Sequence, residues 1–494
     1  MKKEIMGWLS TSLLSLFLIF LFNSQCCLPS MIPQCRPDES SALLQLIETS
    51  FPVDPHYFCR HLNYPNGTHT KTSSWNESTD CCTWSGITCD TVTGHVIGLD
   101  LRCSRLGGSS VISSKSSLFS LRHLRWLDLS GNDFSGAALV PEFGQFKNMS
   151  LLELSYSNMR LGAAAFKALA QNSTSSIREL YLRGNDMSLV VPSVSFVNLS
   201  SSLTSLDLRF CNLHGQLPDN IFRLPKLRVL KLSYNNALNG SFPKSNWSSP
   251  LRKLSLKSCH FVGSIPVSFG NLTLVYLDLS SNSLSGQIPW SSLNLKRLRF
   301  LDLSDNHFTG QIPEIYRDST QNLSFYNSSR NLEADDFPSN LTYLSLSSNS
   351  FNGTIPSWIY DLPDLAWLDL SKNEFSSGIH EFRSTSLSLL SLGNNKLQGL
   401  IPASFFQNIV SLDLLDLSSN SLTGRVEFEE LSKLHDLSFL DLSSNNLSLT
   451  FKSSISCAFP NLYHLGLSSC NIRTEFPNFL RCSCNAPIWG LCKE

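Results

Sequence analysis

Residues 274–289 have the sequence LVYLDLSSNSLSGQIP, and this phrase decides the fold. It returns as LRFLDLSDNHFTGQIP at residues 298–313 and as LTYLSLSSNSFNGTIP at residues 341–356. Each copy has leucines at offsets of three and two, an asparagine three residues after the last leucine, and a closing Gly-x-Ile-Pro. A pattern that repeats so closely indicates one structural unit used many times.

The physical chemistry of one copy explains why it must repeat. In the segment from Leu277 to Leu279, a period of two points both leucines to one side and Asp278 to the other. So short a strand is not stable alone and must stack on copies of itself. Asn282 follows where the chain turns inward, and its amide can bond the backbone of neighbouring coils, which predicts an asparagine ladder. The pattern LxxLxLxxNxL is typical of leucine-rich repeats, so we expect an α/β solenoid with a parallel β-sheet on its concave face.

The ladder position divides the chain into fifteen coils, mostly spaced by twenty-two to twenty-eight residues, within an array at residues 93–479. Cysteine replaces asparagine in coils 5, 7 and 15, and we interpret these cysteines as buried thiols and not as ligands. Residues 314–340 exceed the regular spacing; a degenerate coil or surface loop and a ligand-binding insertion both remain open. The ladder positions of coils 1 to 15 are Ser104, Asn132, Ser157, Asn185, Cys211, Asn235, Cys259, Asn282, Asn306, Asn349, Asn373, Asn395, Asn420, Asn445 and Cys470.

The N-terminus has the pattern of an export signal. Lys2 and Lys3 precede an apolar run from Leu13 to Phe22 that is too short to span a bilayer, which predicts a signal peptide over residues 1–26. No later stretch approaches eighteen consecutive apolar residues. The formal net charge of −1 gives no electrostatic case for nucleic acid or an anionic membrane as partner. We therefore expect the secretory pathway and the extracellular space.

Fifteen cysteines and thirteen Asn-x-Ser/Thr sequons agree with an oxidising, glycosylating compartment. The predicted glycosylation sites are Asn66, Asn76, Asn148, Asn172, Asn198, Asn239, Asn246, Asn271, Asn322, Asn327, Asn340, Asn352 and Asn446.

The chain carries two resemblances to plant proteins in its local motifs. The LxGxIP ending resembles the plant-specific class of these repeats, which implies a second short strand in each coil and a superhelical twist. CCTWSGITC, at residues 81–89, resembles the N-terminal cap of plant leucine-rich-repeat receptors, which places a disulfide-stapled cap at residues 27–92. A cap is needed because the first coil would otherwise expose its apolar edge.

The cap resemblance also implies its disulfides. Cys82 then pairs with Cys89 and Cys35 with Cys81, whereas Cys59 has no partner that the sequence assigns. A zinc site is the alternative for four such cysteines, and a secreted chain disfavours it.

The sequence lacks the short motifs of familiar catalytic sites. Its eleven histidines have no HExxH spacing, and neither a GxSxG elbow, a phosphate-binding loop nor a kinase signature occurs. We expect no enzyme, no cofactor and no metal.

The informative positions are those that point away from the inner leucines. An aromatic residue precedes Leu-Asp-Leu in several coils, at Trp126, Tyr276, Phe300, Trp367 and Phe439. These rings form either a stacking stripe for a ligand or lateral packing along the sheet, and lateral packing is favoured.

Coils 4 to 7 depart from the Leu-Asp-Leu-Ser pattern and place charged and aromatic groups outward. Clustered on a concave surface, such groups predict a recognition site for an extracellular protein or peptide, and a solvated face is the alternative. The candidate ligand-binding residues are Glu179, Tyr181, Arg183, Arg209, Phe210, Lys231, Tyr234, Lys253 and Lys257.

The whole chain to about residue 479 resembles plant receptor-like proteins of the Cf-type disease-resistance class. The most specific stretches are residues 79–108 and 116–136. The resemblance implies a cell-surface immune receptor without a kinase domain, which recognises pathogen-derived molecules and signals through partner receptor kinases at the plasma membrane. A soluble inhibitor of a cell-wall-degrading enzyme, similar to polygalacturonase inhibitors, and a developmental peptide receptor are the alternatives.

Residues 480–494 do not continue the repeat. They contain Cys482, Cys484, Cys492 and Trp489, which would form a compact terminal cap or, in the favoured interpretation, mark a truncated receptor.

Overall fold

The computed structural model describes residues 34–52, 59, 71–171, 176–245, 247–290, 293, 295–317, 323–325, 331–332, 340–450, 459 and 461–472. The predicted signal peptide and the tail with Cys482, Cys484 and Cys492 lie outside the described residues.

One sixteen-stranded sheet runs the length of the solenoid. Fifteen of its strands are parallel, one from each predicted coil, and Ile87–Cys89 of the cap pairs antiparallel with the first of them. The inner strands of coils 1 to 15 are Val96–Asp100, Trp126–Asp128, Leu151–Glu153, Glu179–Tyr181, Ser205–Asp207, Val229–Lys231, Lys253–Ser255, Tyr276–Asp278, Phe300–Asp302, Tyr343–Ser345, Trp367–Asp369, Leu389–Ser391, Leu414–Asp416, Phe439–Asp441 and His464–Gly466.

Register in the inner sheet follows the leucines. The central leucine of each strand pairs with that of the next, as Leu277 does with Leu301, and both are fully buried. The residues on either side point to the concave surface because side chains alternate along a strand. The predicted solenoid with an inner parallel sheet is therefore confirmed.

The asparagine ladder is also confirmed. Asn282 donates from Nδ2 to the carbonyl oxygens of Leu256 in the preceding coil, at 2.9 Å, and Leu279 in its own coil, at 3.0 Å. Its Oδ1 accepts from the backbone N–H of Phe261, at 2.9 Å. Each rung thus satisfies buried peptide groups that would otherwise lack partners.

A cysteine at the ladder position makes fewer hydrogen bonds than an asparagine, because its thiol has one hydrogen to donate, whereas the amide nitrogen has two. The Cys211 thiol donates to the carbonyl of Leu182, at 3.3 Å, and the Cys259 thiol to that of Leu232, at 3.4 Å. Burial raises the pKa of each thiol to about 12. Cys470 bonds in the same way but is only partly buried, so the prediction of three buried thiols holds fully for two.

The outer half of most coils carries a second short strand, as the LxGxIP resemblance implies. These strands form a two-stranded sheet, a seven-stranded sheet and a four-stranded sheet. They are, in that order of sheets, Arg160–Gly162 and Asp186–Leu189; His214–Gln216, Ala237–Gly240, His260–Gly263, Ser283–Gln287, His307–Gln311, Ser350–Gly353 and Glu374–Phe375; and Gln398–Leu400, Ser421–Glu427, Asn446–Thr450 and Asn471–Ile472.

Short helices complete the convex side. In the described residues the α-helices are Pro37–Glu48 in the cap, Ala163–Ala170, Pro192–Ser195, Ser357–Tyr360, Phe405–Asn408 and Phe428–Leu431. The 3-10 helices are Lys71–Ser74, Cys81–Thr83, Ser109–Ile112, Ser117–Ser120, Pro141–Gln145, Asp219–Arg223, Val267–Asn271 and Leu295–Arg297.

The irregular segment between coils 9 and 10 is not an extra coil of the inner sheet. Phe300 of coil 9 pairs directly with Tyr343 of coil 10. Strands Ile315–Arg317, Leu323–Phe325 and Asn331–Leu332 form a separate antiparallel sheet. The insertion therefore lies outside the inner sheet, and the register between coils 9 and 10 is the same as between other neighbouring coils.

Three disulfides hold the part of the cap that the structure describes. Cys35 pairs with Cys81 and Cys82 with Cys89, as the resemblance implies, and Cys59 pairs with Cys103 of coil 1. Sequence analysis found no partner for Cys59. All four cysteines considered for zinc are thus engaged in disulfides.

Two carboxylates, one buried and one half-buried, connect separate segments of the cap and coil 1. Glu39, only 2% exposed, accepts from the Val96 N–H at 2.7 Å and contacts His95 Nδ1 at 3.2 Å. Asp80 accepts from the backbone N–H groups of Cys35 and Cys82, at 2.9 and 3.0 Å. An additional short antiparallel pair, Phe51–Pro52 with Leu106–Gly107, connects the cap to coil 1.

Candidate functional site

In most coils that have an aspartate on the concave surface, this aspartate accepts hydrogen bonds from the serine two residues later in the same coil. Asp278 accepts from both the N–H and the hydroxyl of Ser280, at 3.2 and 2.7 Å. Asp302 does the same with Ser304, and the Leu-Asp-Leu-Ser sequence recurs with these bonds in coils 2, 11, 13 and 14. Such carboxylates fasten the end of their own strand, and one oxygen of each is already engaged by the serine rather than open to a ligand.

The aromatic residues of coils 8 to 11 stack on one another. Ring centroids are 4.2 Å apart from Tyr276 to Phe300, 4.1 Å from Phe300 to Tyr343 and 5.2 Å from Tyr343 to Trp367, with the planes nearly parallel. Phe439 stacks on His464 in the same way, at 4.1 Å. This geometry supports the lateral-packing interpretation of the stripe.

Trp126, the remaining member of the stripe, lies across Gly98 of coil 1. A Cβ at Gly98 would come within 2.2 Å of its indole ring. Its environment is therefore also lateral packing between neighbouring coils.

The nine candidate residues of coils 4 to 7 share one contiguous part of the concave surface. The register aligns Glu179, Ser205, Val229 and Lys253 in one row. The second row consists of Tyr181, Asp207, Lys231 and Ser255. Arg183, Arg209, Phe210, Tyr234 and Lys257 follow directly after these strands, and all nine candidates are half-buried or exposed.

The cations in this region differ in how they are neutralised. Arg209 forms a two-point contact with Asp207, with Nε to Oδ1 at 2.8 Å and Nη2 to Oδ2 at 2.6 Å. Lys231 Nζ lies 3.9 Å from the same carboxylate. Burial lowers the pKa of Arg209, but its bond to Asp207 outweighs this and the net pKa is raised. Asp207, which is 4% exposed, was absent from the predicted site and organises two of its cations.

Arg183 lies between two aromatic rings. Its guanidinium carbon is 4.8 Å from the centroid of Tyr156 and 5.2 Å from that of Phe210. Phe210 in turn stacks on Tyr234, with centroids 4.2 Å apart and planes 13° from parallel. We name this column, formed by Tyr156, Arg183, Phe210 and Tyr234, the aromatic clamp.

Gly184 makes room for the clamp. Its φ is +74°, and a Cβ there would approach the Tyr156 ring to 2.4 Å. The ring of Tyr156 in coil 3 therefore occupies the space that a side chain at position 184 of coil 4 would take, and this places it against Arg183.

The clamp residues also occupy an unusual backbone conformation. In coils 3, 5 and 6 the residue before the ladder position is aromatic, and its φ is 54°, 56° and 61° at Tyr156, Phe210 and Tyr234. Most other coils place serine, asparagine, aspartate, lysine or glycine in this left-handed conformation. A bulky side chain there is costly, and such residues cluster at functional sites. Sequence analysis missed Tyr156, although its position before the ladder residue matches that of Phe210 and Tyr234.

Acidic and phenolic groups border the clamp at coils 3 and 4. Burial raises the pKa of Glu153 to about 7, with repulsion from Asp128 and Asp207 acting in the same direction and its bonds to Ser155 opposing the rise. Tyr181 donates to Glu179 at 2.7 Å, and burial raises its pKa to about 12. The surface is thus mixed in charge, with its cations concentrated in coils 4 to 7.

No sequon asparagine lies within one of the described inner strands. Asn239, Asn352 and Asn446 belong to outer strands, and Asn148 and Asn340 each precede an inner strand by three residues. Five predicted sites, Asn66, Asn172, Asn246, Asn322 and Asn327, lie outside the described residues. The eight described sequon asparagines are all exposed: Asn76, Asn148, Asn198, Asn239, Asn271, Asn340, Asn352 and Asn446.

Comparison with protein families agrees with this geometry. The leucine rich repeat N-terminal domain matches residues 57–90. Leucine rich repeat models match residues 123–146, 202–224, 250–272, 273–295, 297–318, 339–397 and 385–447.

The similar curated proteins are plant receptor-like proteins. The chain is 38% identical over 307 residues to receptor-like protein 9DC1 and 37% identical over 292 residues to receptor-like protein Cf-9, both from Solanum pimpinellifolium. The matches cover 55% and 52% of this chain but 34% and 32% of the relatives. They thus span about a third of the length of those proteins.

Among solved structures, the Arabidopsis receptor kinase HAESA in complex with the peptide hormone IDA and the co-receptor SERK1 is similar, with a TM-score of 0.67 and 25% identity. The match covers 88% of this chain and 70% of HAESA. Within the described ranges, no helix is both long and apolar enough to cross a bilayer.

Proposed function

Because this chain belongs to the leucine-rich repeat receptor-like proteins of plants, we propose that it is an extracellular, non-catalytic recognition protein that binds its ligand on the concave surface of coils 4 to 7. The ligand is a pathogen-derived or other extracellular protein or peptide. Signalling passes through partner receptor kinases, and the role is in plant immunity, like that implied by the resemblance to the Cf-type class.

The observation that carries the proposal is the departure of coils 4 to 7 from the default surface. Elsewhere aspartate and serine satisfy one another, as Asp278 and Ser280 do. Here Phe210 and Tyr234 are 40% and 39% exposed, in a left-handed backbone conformation, beside a group of cations. Exposed aromatic and arginine side chains on a concave surface are the composition of binding hot spots.

Two further observations support the location. None of the thirteen sequons falls within an inner strand, so glycans would project from the other faces. HAESA, which has the same fold, is a receptor whose complex contains a peptide hormone and a co-receptor. A concave surface without glycans is accessible to a ligand of that size.

Site-directed photo-crosslinking tests the proposal. The secreted chain would carry p-benzoylphenylalanine in place of Tyr234 or, as a control on the outer sheet, in place of Val262, which is 51% exposed. Each protein is mixed with apoplastic fluid from infected and healthy leaves, irradiated, and its crosslinked peptides are sequenced. We expect the same peptide to be captured repeatedly at Tyr234 and absent at Val262. Equal capture at both positions, or capture at Val262 alone, would contradict the proposal.

A receptor for a developmental peptide is the second candidate, because HAESA matches 88% of this chain and its complex contains a hormone. The two roles differ in when the ligand is present. Capture from infected fluid alone supports immunity, whereas equal capture from healthy tissue supports a developmental role.

A further inference from the structure

Arg183 differs from the neighbouring Arg209 in forming no ion pair and no side-chain hydrogen bond with the described residues. Arg209 is held by Asp207 through two hydrogen bonds. In contrast, Arg183 Nε is buried and has no hydrogen-bond partner among the described residues, and no ion pair of its guanidinium occurs there. Burial and repulsion from Arg209 lower its pKa. The clamp therefore holds a charged group whose side-chain donors form no hydrogen bond with the described residues.

Its surroundings fix the orientation of this group. The rings of Tyr156 and Phe210, 4.8 and 5.2 Å away, hold the guanidinium between two aromatic faces. A planar guanidinium is suited to this position because it stacks on aromatic faces and also forms paired hydrogen bonds with an oxyanion. Orientation before binding reduces the entropy lost when the ligand arrives.

We propose that Arg183 is the anchor for an oxyanion of the ligand, a carboxylate or a sulfate ester, and that Phe210 and Tyr234 receive an aromatic or apolar side chain next to it. The inference rests on the proposed function and names the chemistry of that same site. It predicts a ligand segment with an acidic residue beside a ring or a large apolar group.

The dimensions of the clamp set the length of the probe. Its members come from four successive coils, which at a strand spacing of about 4.8 Å span about 14 Å. About four extended residues cover this distance. A displayed library of random heptapeptides is therefore long enough to occupy the clamp.

The experiment compares peptide selection on four proteins. The wild-type secreted chain, Arg183→Gln, Arg183→Lys and the control Arg160→Gln are each panned against the heptapeptide library. Arg160 is an exposed arginine of the outer sheet and donates to the Gly136 carbonyl. Peptides enriched on the wild type are synthesised and their affinities measured by fluorescence anisotropy, with thermal unfolding followed for every variant.

We expect the wild type and Arg160→Gln to enrich peptides with aspartate or glutamate next to an aromatic or large apolar residue. Arg183→Gln should weaken their binding by about ten- to a hundredfold. Arg183→Lys should recover only part of the loss, because an ammonium group cannot form the planar paired contact. Replacing the acidic residue of a peptide by asparagine should cost as much as Arg183→Gln, and replacement by O-sulfotyrosine distinguishes a sulfate ligand from a carboxylate ligand.

Gly184→Ala provides a second variant that leaves every cation in place. The added Cβ would meet the Tyr156 ring at 2.4 Å, so the ring must move away from Arg183. We expect the acidic peptides to bind this variant more weakly as well, whereas their affinity for Arg160→Gln should stay at the wild-type value.

Three results would overturn the inference: a change of less than twofold on Arg183→Gln, enrichment of neutral or basic peptides, or a library that yields no peptide dependent on Arg183. The photo-crosslinking experiment separates these outcomes from failure of the proposed function. Capture at Tyr234 that persists in Arg183→Gln would leave concave recognition intact and remove only its oxyanion anchor.

Discussion

Replacing the ladder residue of coil 6 should destabilise two coils at once. Asn235 is fully buried and makes four hydrogen bonds: to the carbonyls of Leu208 and Leu232, at 2.9 and 2.6 Å, and from the N–H groups of Cys211 and Leu213, both at 3.0 Å. Asn235→Ala removes all four. At least three of the backbone groups then lack a partner, at about 1–3 kcal/mol each, and partial relaxation gives an expected loss of about 3–6 kcal/mol.

The assay must report on individual coils because a solenoid need not unfold in one step. Hydrogen–deuterium exchange should show faster exchange in coils 5 and 6, and urea unfolding should show the loss of stability. Asn236→Ala, at the exposed neighbouring position, is the control and should change stability by less than about 0.5 kcal/mol. Asn235→Cys should cost about half as much as Asn235→Ala, because a thiol restores one donor, as Cys211 does toward Leu182.

The same exchange and the same urea midpoint for Asn235→Ala and Asn236→Ala would contradict the predicted role of Asn235. Exchange that increased uniformly along the array would also refute it, since the lost bonds join only coils 5 and 6.

Three other predictions follow from the structure. Because burial raises the pKa of Glu153 from 4.5 to about 7, its contribution to wild-type stability falls as the pH rises through this window. Glu153→Gln should thus be neutral at pH 4 and stabilising by about 3 kcal/mol at pH 8 in denaturant unfolding, and a difference independent of pH would contradict this. Cys59–Cys103 closes a loop of 44 residues and Cys82–Cys89 one of 7, a difference in chain entropy of about 1.6 kcal/mol in favour of the longer loop. Cys59→Ser should therefore reduce the secreted yield at least as much as Cys82→Ser, and a wild-type yield for Cys59→Ser would show that its disulfide is dispensable. Peptide N-glycosidase should lower the gel mass of the plant-expressed chain by many kilodaltons, and an unchanged mass would contradict export through the secretory pathway.

The repeat was predictable because its code is local. Three leucines and one ladder residue recur within a dozen positions. The inner strand and the bonds of Asn282 therefore follow from one copy, and the number of coils follows from counting the copies. The same local code shows where coils 4 to 7 depart from it. Alternation along the strand then places those residues on the concave surface.

What sequence analysis missed depends on contacts between coils. Tyr156 belongs to the clamp only because Gly184, in the next coil, leaves space for its ring. Cys103 becomes the partner of Cys59 through the way the cap meets coil 1, and the spacing of the cysteines carries no sign of it. The raised pKa of Glu153 likewise depends first on its burial in the assembled solenoid and then on repulsion from Asp128 and Asp207, which lie on other coils.

Because side chains alternate along each inner strand, the positions that maintain the fold are different from the positions that form the concave surface. Leu277 and its counterparts are buried and pair with one another, whereas their immediate neighbours face the concave surface and differ from coil to coil. Gain or loss of one whole coil between the clamp and coil 8 would move the clamp relative to the stacked rings of coils 8 to 11 by one strand spacing, about 4.8 Å. A change in the number of repeats is therefore a second way, besides point mutation, to alter the concave surface.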